Sequence, residues 1–218
     1  MSPEAYVFDF DGLILDTESG AYHSIVEEFA AVGLEFDLAT WQRCIGAGWS
    51  VSWIDELEAR CPHPIERDAV LARRQARKME LLLGCDVLPG VVERVEEARA
   101  HGLGLAVASS SPRDWVEGHL DRLGLLAHFD AVLTRDDVER TKPAPDLYLA
   151  AVDALGADPR RSVAFEDSHN GSLAAKAASM WCVVVPNDIT ADQDFSHADL
   201  LVKTLEEVDL PAIRRLLA

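Results

Sequence analysis

The chain has 218 residues and a formal charge of −18, from 20 Lys and Arg against 38 Asp and Glu. Hydrophobic residues make up 49%, enough for the packed core of one sizeable domain, or of a core domain with a smaller insert, and too many for a disordered chain. The charge argues against nucleic acid or an anionic membrane surface as partner, and it requires that an anionic ligand be met by a metal or by a few placed Lys and Arg. Cys44, Cys61, Cys85 and Cys182 form neither a CxxC pair nor a zinc spacing, which fits reduced thiols. No stretch reaches the length of a membrane span. Met1-Ser2-Pro3-Glu4 lacks the basic and apolar regions of a signal peptide, so a cytoplasmic location is expected.

The first predicted strand is an apolar run, Ala5-Tyr6-Val7-Phe8, that ends in Asp9-Phe10-Asp11-Gly12. Two acids so close resist joint ionisation unless a cation joins them. Oxygen ligands with no His or Cys nearby suit Mg2+, and a carboxylate held there can act as a nucleophile. Asp-x-Asp-Gly also occurs in turns and in calcium loops. Here the apolar Leu13-Ile14-Leu15 follows, where a calcium loop would supply further oxygens. From 21 to 83 the pattern is helical. Tyr22, Ile25, Val26 and Phe29 recur at helix spacing, with Gly33 as a stop. Asp37 is placed to cap a helix through Trp41 and Cys44, Ser50 to cap one carrying Ile54 and Leu57, and Pro64 to open a long helix towards Leu83.

After Pro89-Gly90 strands and helices alternate. Helices are predicted over 91–101, 112–123, 145–155, 170–178 and 206–217, and strands over 103–108, 131–133, 162–165, 182–185 and 198–202. Alternation of this kind argues a mostly parallel sheet with helices on both faces, and the all-helical stretch is then an insertion after the first strand. In such sheets ligands bind beyond the carboxyl ends of the strands. Three more polar clusters fall at that edge. Ser109-Ser110-Ser111 ends one strand and could hold a phosphate, Ser111 reading equally as a helix cap. Lys142 stands before Pro143 and Pro145, on a loop suited to a fixed phosphate contact. Glu166-Asp167 ends another strand in two acids.

Four strand ends carrying Asp-x-Asp, Ser, Lys and Glu-Asp in that order resemble the haloacid dehalogenase superfamily, in the branch with a helical cap and in particular its β-phosphoglucomutase-like phosphatases. The resemblance runs over residues 9–18, Ser109, 142–146 and 166–171. It implies an α/β fold, with a Rossmann-like core formed by residues 1–16 and 89–218 and a helical cap over 17–88. It implies a Mg2+-dependent phosphatase acting on a small phosphorylated metabolite, such as a sugar or polyol phosphate, as a monomer or weak homodimer. Asp9 would be the nucleophile and Asp11 the general acid and base. Ser109, Ser110 and Lys142 would bind the phosphoryl group, and Asp9, Asp11 (through its carbonyl), Glu166 and Asp167 would surround the metal. Residues 16–18 and 87–90 would be the hinges. A sugar-phosphate mutase is the alternative within the family, and a receiver-type phospho-acceptor domain the alternative outside it. The mutase-type relatives carry a cap arginine that the loop from Gly46 to Trp53 lacks. Arg43, Arg73, Arg74 and Arg77 are the nearby substitutes and read as a solvated helix face. Arg113 and Thr141 stand where the family pattern has Asn and Gly. Trp49 and Trp53 read equally as facing substrate or as packing within the cap.

Overall fold

The computed structural model describes residues 2–42 and 52–218. Six parallel strands form one sheet: β1 (Ala5–Phe8), β2 (Gly104–Ala108), β3 (Ala131–Leu133), β4 (Ser162–Glu166), β5 (Trp181–Val184) and β6 (Leu200–Leu201), in the spatial order β3-β2-β1-β4-β5-β6. The order reverses at β1, which lies between β2 and β4. Such a switch point opens a crevice beyond the strand ends.

Every residue of β1 is fully buried, because helices cover both faces of the sheet. Side chains alternate across a strand. Tyr6, Phe8, Leu105, Val107, Val163 and Phe165 therefore share one face with apolar residues of α5 (Val91–His101), α6 (Arg113–Arg122) and α9 (Leu210–Leu216). Val7, Ala106, Ala108, Ala164 and Cys182 face α7 (Asp146–Leu155) and α8 (His169–Ala177).

Between β1 and α5 stand four helices: α1 (Thr17–Ala30), α2 (Leu38–Gln42), α3 (Trp53–Arg60) and α4 (Arg67–Leu83). They have an apolar cluster of their own, built on Ile25, Phe29, Trp41, Trp53, Ile54 and Leu57. Trp53 is therefore a core residue of the insertion, while Trp49 and the other residues of the 43–51 stretch, Cys44 and Ser50 included, lie outside the described residues. Helix α1 starts earlier than its apolar spacing suggests, because Asp16 accepts a hydrogen bond from Ser19 N (3.0 Å) and caps it. Ser52 caps α3, and α4 begins at Arg67, past Pro64. The closing helix is shorter than predicted. Pro211 has no N–H to give to a helix interior, so it sits in the first turn of α9, which Asp209 caps through Ala212 N (2.8 Å). Residues 205–207 form a separate 3-10 turn. No helix among the described residues is long and apolar enough to cross a membrane.

Candidate active site

Strand register brings the motifs together. Phe8 pairs with Val107 on one side and Phe165 on the other, so the residues that follow these strands emerge at one edge. Asp9, next after β1, donates its N–H to Phe165 O (2.9 Å), and Ser109, next after β2, donates to Leu133 O (2.9 Å). The chain then doubles back. Gly12 adopts φ +87° and its N–H bonds Leu15 O (2.8 Å). A Cβ at Gly12 would lie 2.1 Å from Asp167 Oδ2, so only glycine permits this approach.

Carboxylate oxygens of Asp9, Glu166 and Asp167 lie within 4.8 Å of one another, and all three residues are buried. Lys142, 2% exposed, bonds Asp9 Oδ1 and Glu166 Oε1 (2.6 Å to the latter). Burial alone would lower the Lys142 pKa, but Asp9 and Glu166 outweigh it and hold the ammonium above its usual value. Burial pushes Asp9 well above the ordinary carboxylate range; Lys142 pulls it back, while Glu166 and Asp11 push it further up. Burial, then Asp9 and Glu166, raises Asp167 likewise. Were all three acids ionised, one cation would leave the site net negative, and two like charges 4 Å apart repel by about 4 kcal/mol at an effective dielectric of 20.

The three acids differ in their bonding. Glu166 Oε1 accepts from Lys142 and from Tyr148 OH (2.6 Å). Its Oε2 accepts from Asp167 N (3.2 Å), Ser168 N (3.4 Å) and Ser168 Oγ (3.2 Å). Asp167 Oδ1, by contrast, is buried with no hydrogen-bond partner among the described residues. An orphaned carboxylate oxygen in an all-oxygen donor set is the place for a hard divalent cation. Asp9, Glu166 and Asp167 could hold one.

Asp11 points elsewhere, and its carboxylate is not one of the three. Oδ1 accepts from Thr17 Oγ1 (2.8 Å) and Trp115 Nε1 (2.9 Å), and Oδ2 from Ser111 Oγ (2.6 Å) and Ser109 Oγ (3.2 Å). Ser110 lies on the same strand-to-helix turn. Arg113 is turned outward, into ion pairs with Glu117 (2.5 Å) and Asp137 (2.6 Å). Of the α4 arginines, Arg73 pairs with Glu28 (2.5 Å) and Arg77 with Glu27 (2.9 Å), both at the surface. Arg74 corrects the solvated-face reading. It is 6% exposed, its guanidinium 5.8 Å from the Trp53 ring, and burial lowers its pKa to about 10. One turn further, Lys78 Nζ sits 3.9 Å over the Trp115 ring.

Sequence reasoning missed Lys78, Trp115, Tyr148, Asn187 and Glu18 in this role. Asn187, just past β5, bonds Asp167 Oδ2 through Nδ2 (2.7 Å), and the strand-end rule extended to that strand would have found it. Burial first, then Asp11, against the pull of Lys78, lifts the Glu18 carboxyl from 4.5 to about 8. The folded chain therefore keeps this proton across a window in which the unfolded chain has released it. The stability this group contributes is present in full below about pH 4.5 and is lost as the pH rises to about 8. Glu18→Gln should flatten that decline. The check is the urea midpoint of both proteins at about pH 5 and about pH 8 without divalent cation; parallel declines would refute the assignment.

The haloacid dehalogenase-like hydrolase family matches residues 3–179. The chain belongs to that family. The YhcW protein of Bacillus subtilis is 39% identical to it over 207 residues, covering 95% of this chain and 94% of that protein. Hexitol phosphatase B of Escherichia coli K12 is 33% identical over 208 residues, covering 94% of this chain and 93% of that protein. Among solved structures, CbbY from Rhodobacter sphaeroides in complex with phosphate superimposes with a TM-score of 0.75 at 30% identity, over 94% of this chain and 96% of that one. Membership in this hydrolase family sets aside the receiver-type alternative, as does the helical insertion after β1.

Proposed function

We propose that this chain, a phosphatase of the haloacid dehalogenase superfamily, is a Mg2+-dependent hydrolase of small phosphorylated metabolites, with sugar and polyol phosphates as its substrate class, working through an aspartyl phosphate on Asp9. The observation that carries the reading is the buried group of Asp9, Glu166 and Asp167, with Lys142 between two of them and one Asp167 oxygen unpartnered. A bound Mg2+ would neutralise negative charge on the carboxylates and the phosphoryl oxygens.

The chain's own residues do the rest. An Asp9 carboxylate oxygen attacks phosphorus as the bond to the leaving oxygen breaks, and Asp11 gives that oxygen its proton. Water then attacks the aspartyl phosphate, Asp11 takes its proton, and the bond between phosphorus and Asp9 breaks. Lys142 and Ser109, with Ser110 beside it, would hold the phosphoryl oxygens where charge develops. Glu166 fixes the Lys142 ammonium.

Residues 17–88 would act as a cap that excludes water, with hinges at 16–18 and 87–90. A leaving group held beside Asp11 would meet Glu18, Lys78, Arg74 and the Trp115 edge, polar groups suited to hydroxyls. The name of Hexitol phosphatase B agrees with that class. The second reading, a sugar-phosphate mutase, rests on buried Arg74 as the cation that would grip a second phosphate.

The test is inorganic phosphate release from a panel of sugar and polyol phosphates. Release is expected with Mg2+, to vanish in excess chelator and to return when Mg2+ is restored. Full activity in excess chelator would overturn the metal-dependent reading. Isomer accumulating much faster than free phosphate from a hexose 1-phosphate would favour the mutase.

A further inference from the structure

Asn187 opens the turn that follows β5. Its side-chain Oδ1 accepts from Ile189 N (2.9 Å), Thr190 N (3.1 Å) and Thr190 Oγ1 (3.3 Å). Those donors fix which end of the amide is oxygen. The other end, Nδ2, therefore points into the site, where it donates to Asp167 Oδ2 (2.7 Å) and to Gly12 O (3.3 Å). A Cβ on Gly12 would lie 2.9 Å from Asn187 Nδ2, so the three residues are packed without slack. The turn is also braced from the far side. Ile189 is 5% exposed and packs into the apolar cluster of the helical insertion. Its carbonyl accepts from Gln42 Nε2 (2.7 Å), and Gln193 Nε2 donates to Gln42 O (3.2 Å).

The consequence falls on Asp167. A free carboxylate rotates about its last bond and offers a cation either oxygen, or both. Here Oδ2 is taken by a neutral donor that cannot compete for the cation, and Oδ1 is left buried and unpartnered, in a carboxylate that has an oxygen within 4.8 Å of those of Asp9 and Glu166. We propose that Asn187 is a positioning residue, one that orients the Asp167 carboxylate so that a single oxygen faces the divalent cation. The inference rests on the metal-dependent reading above. Residues that hold a metal ligand in this way typically contribute 10- to 100-fold to metal affinity.

Two variants separate positioning from mere support of the turn. Asn187→Ser keeps an oxygen that can accept from the turn amides but is too short to reach Asp167. Asn187→Ala loses both contacts. Binding is read by titrating the full chain with Mn2+, an oxygen-seeking stand-in for Mg2+, and following the free aqueous ion by electron paramagnetic resonance. Asp167→Asn supplies the background from surface acids, and thermal midpoints are recorded alongside. Both Asn187 variants should bind Mn2+ about 10- to 100-fold more weakly, with the thermal midpoint of the Ser variant close to the parent. In turnover, the Mg2+ concentration for half-activation should rise by a similar factor while kcat at saturating Mg2+ stays within about threefold. Mn2+ affinity within twofold of the parent in the Ser variant would overturn the proposal, whether or not the Ala variant folds. So would recovery of affinity in step with stability. A parent protein that binds Mn2+ no better than Asp167→Asn and hydrolyses no phosphate ester would instead overturn the reading beneath it.

Discussion

Asp9→Asn should abolish turnover, with steady-state phosphate release falling by at least about 10³-fold while the protein stays folded. The amide nitrogen and oxygen of asparagine cannot attack phosphorus as a carboxylate does. Asp9 follows β1 directly, its backbone bonded to Phe165 O, so its carboxylate is delivered by the sheet and not by a mobile loop. The fold should tolerate the change. Burial, with Glu166 and Asp11 against Lys142, already holds Asp9 well above the usual carboxylate range, so a neutral group relieves repulsion among three buried acids. Lys142 keeps Glu166 as a partner at 2.6 Å. The thermal midpoint in chelator should therefore equal or exceed that of the parent. Aryl phosphate turnover within tenfold of the parent would refute the assignment of the nucleophile.

The edge at which the motif residues meet was legible because their types contradict their surroundings. A carboxylate, a serine or a lysine at the end of a fully apolar run is costly to bury without a reason, and parallel register then carries the strand ends to one place. What stayed hidden was set by rotation. Helix α4 carries Arg67, Asp68, Arg73, Arg74, Arg77, Lys78 and Glu80. Periodicity says that Arg74 and Lys78 share a face, but not that this face turns inward. Trp115 and Tyr148 were hidden for the opposite reason. Both types pack in cores, and only the partner of the indole N–H or the phenol OH marks them. The last helix shows a local rule winning over an apolar pattern, since Pro211 fixes where α9 can start.

Asp11→Asn should separate the two chemical steps. General acid–base help is worth about 10²–10⁴-fold, and its size should depend on the leaving group. A polyol phosphate expels an alkoxide and needs the proton; an aryl phosphate expels a stable phenolate and does not. In single-turnover measurements of phosphate transfer to Asp9, the variant should lose about 10²–10⁴-fold with the polyol ester and less than tenfold with the aryl ester. Steady-state aryl turnover should still slow, because in the proposed mechanism the same residue would activate water in the second step and an asparagine cannot take that proton. The fold around it should give a little as well. Thr17, Trp115, Ser109 and Ser111 all donate to this carboxylate, and an amide nitrogen in place of one oxygen would face two donors. That disturbance is common to both substrates, so it cancels in their ratio. Equal losses with both esters in the first step would therefore remove Asp11 from proton transfer and leave it only the task of ordering the serines beside it.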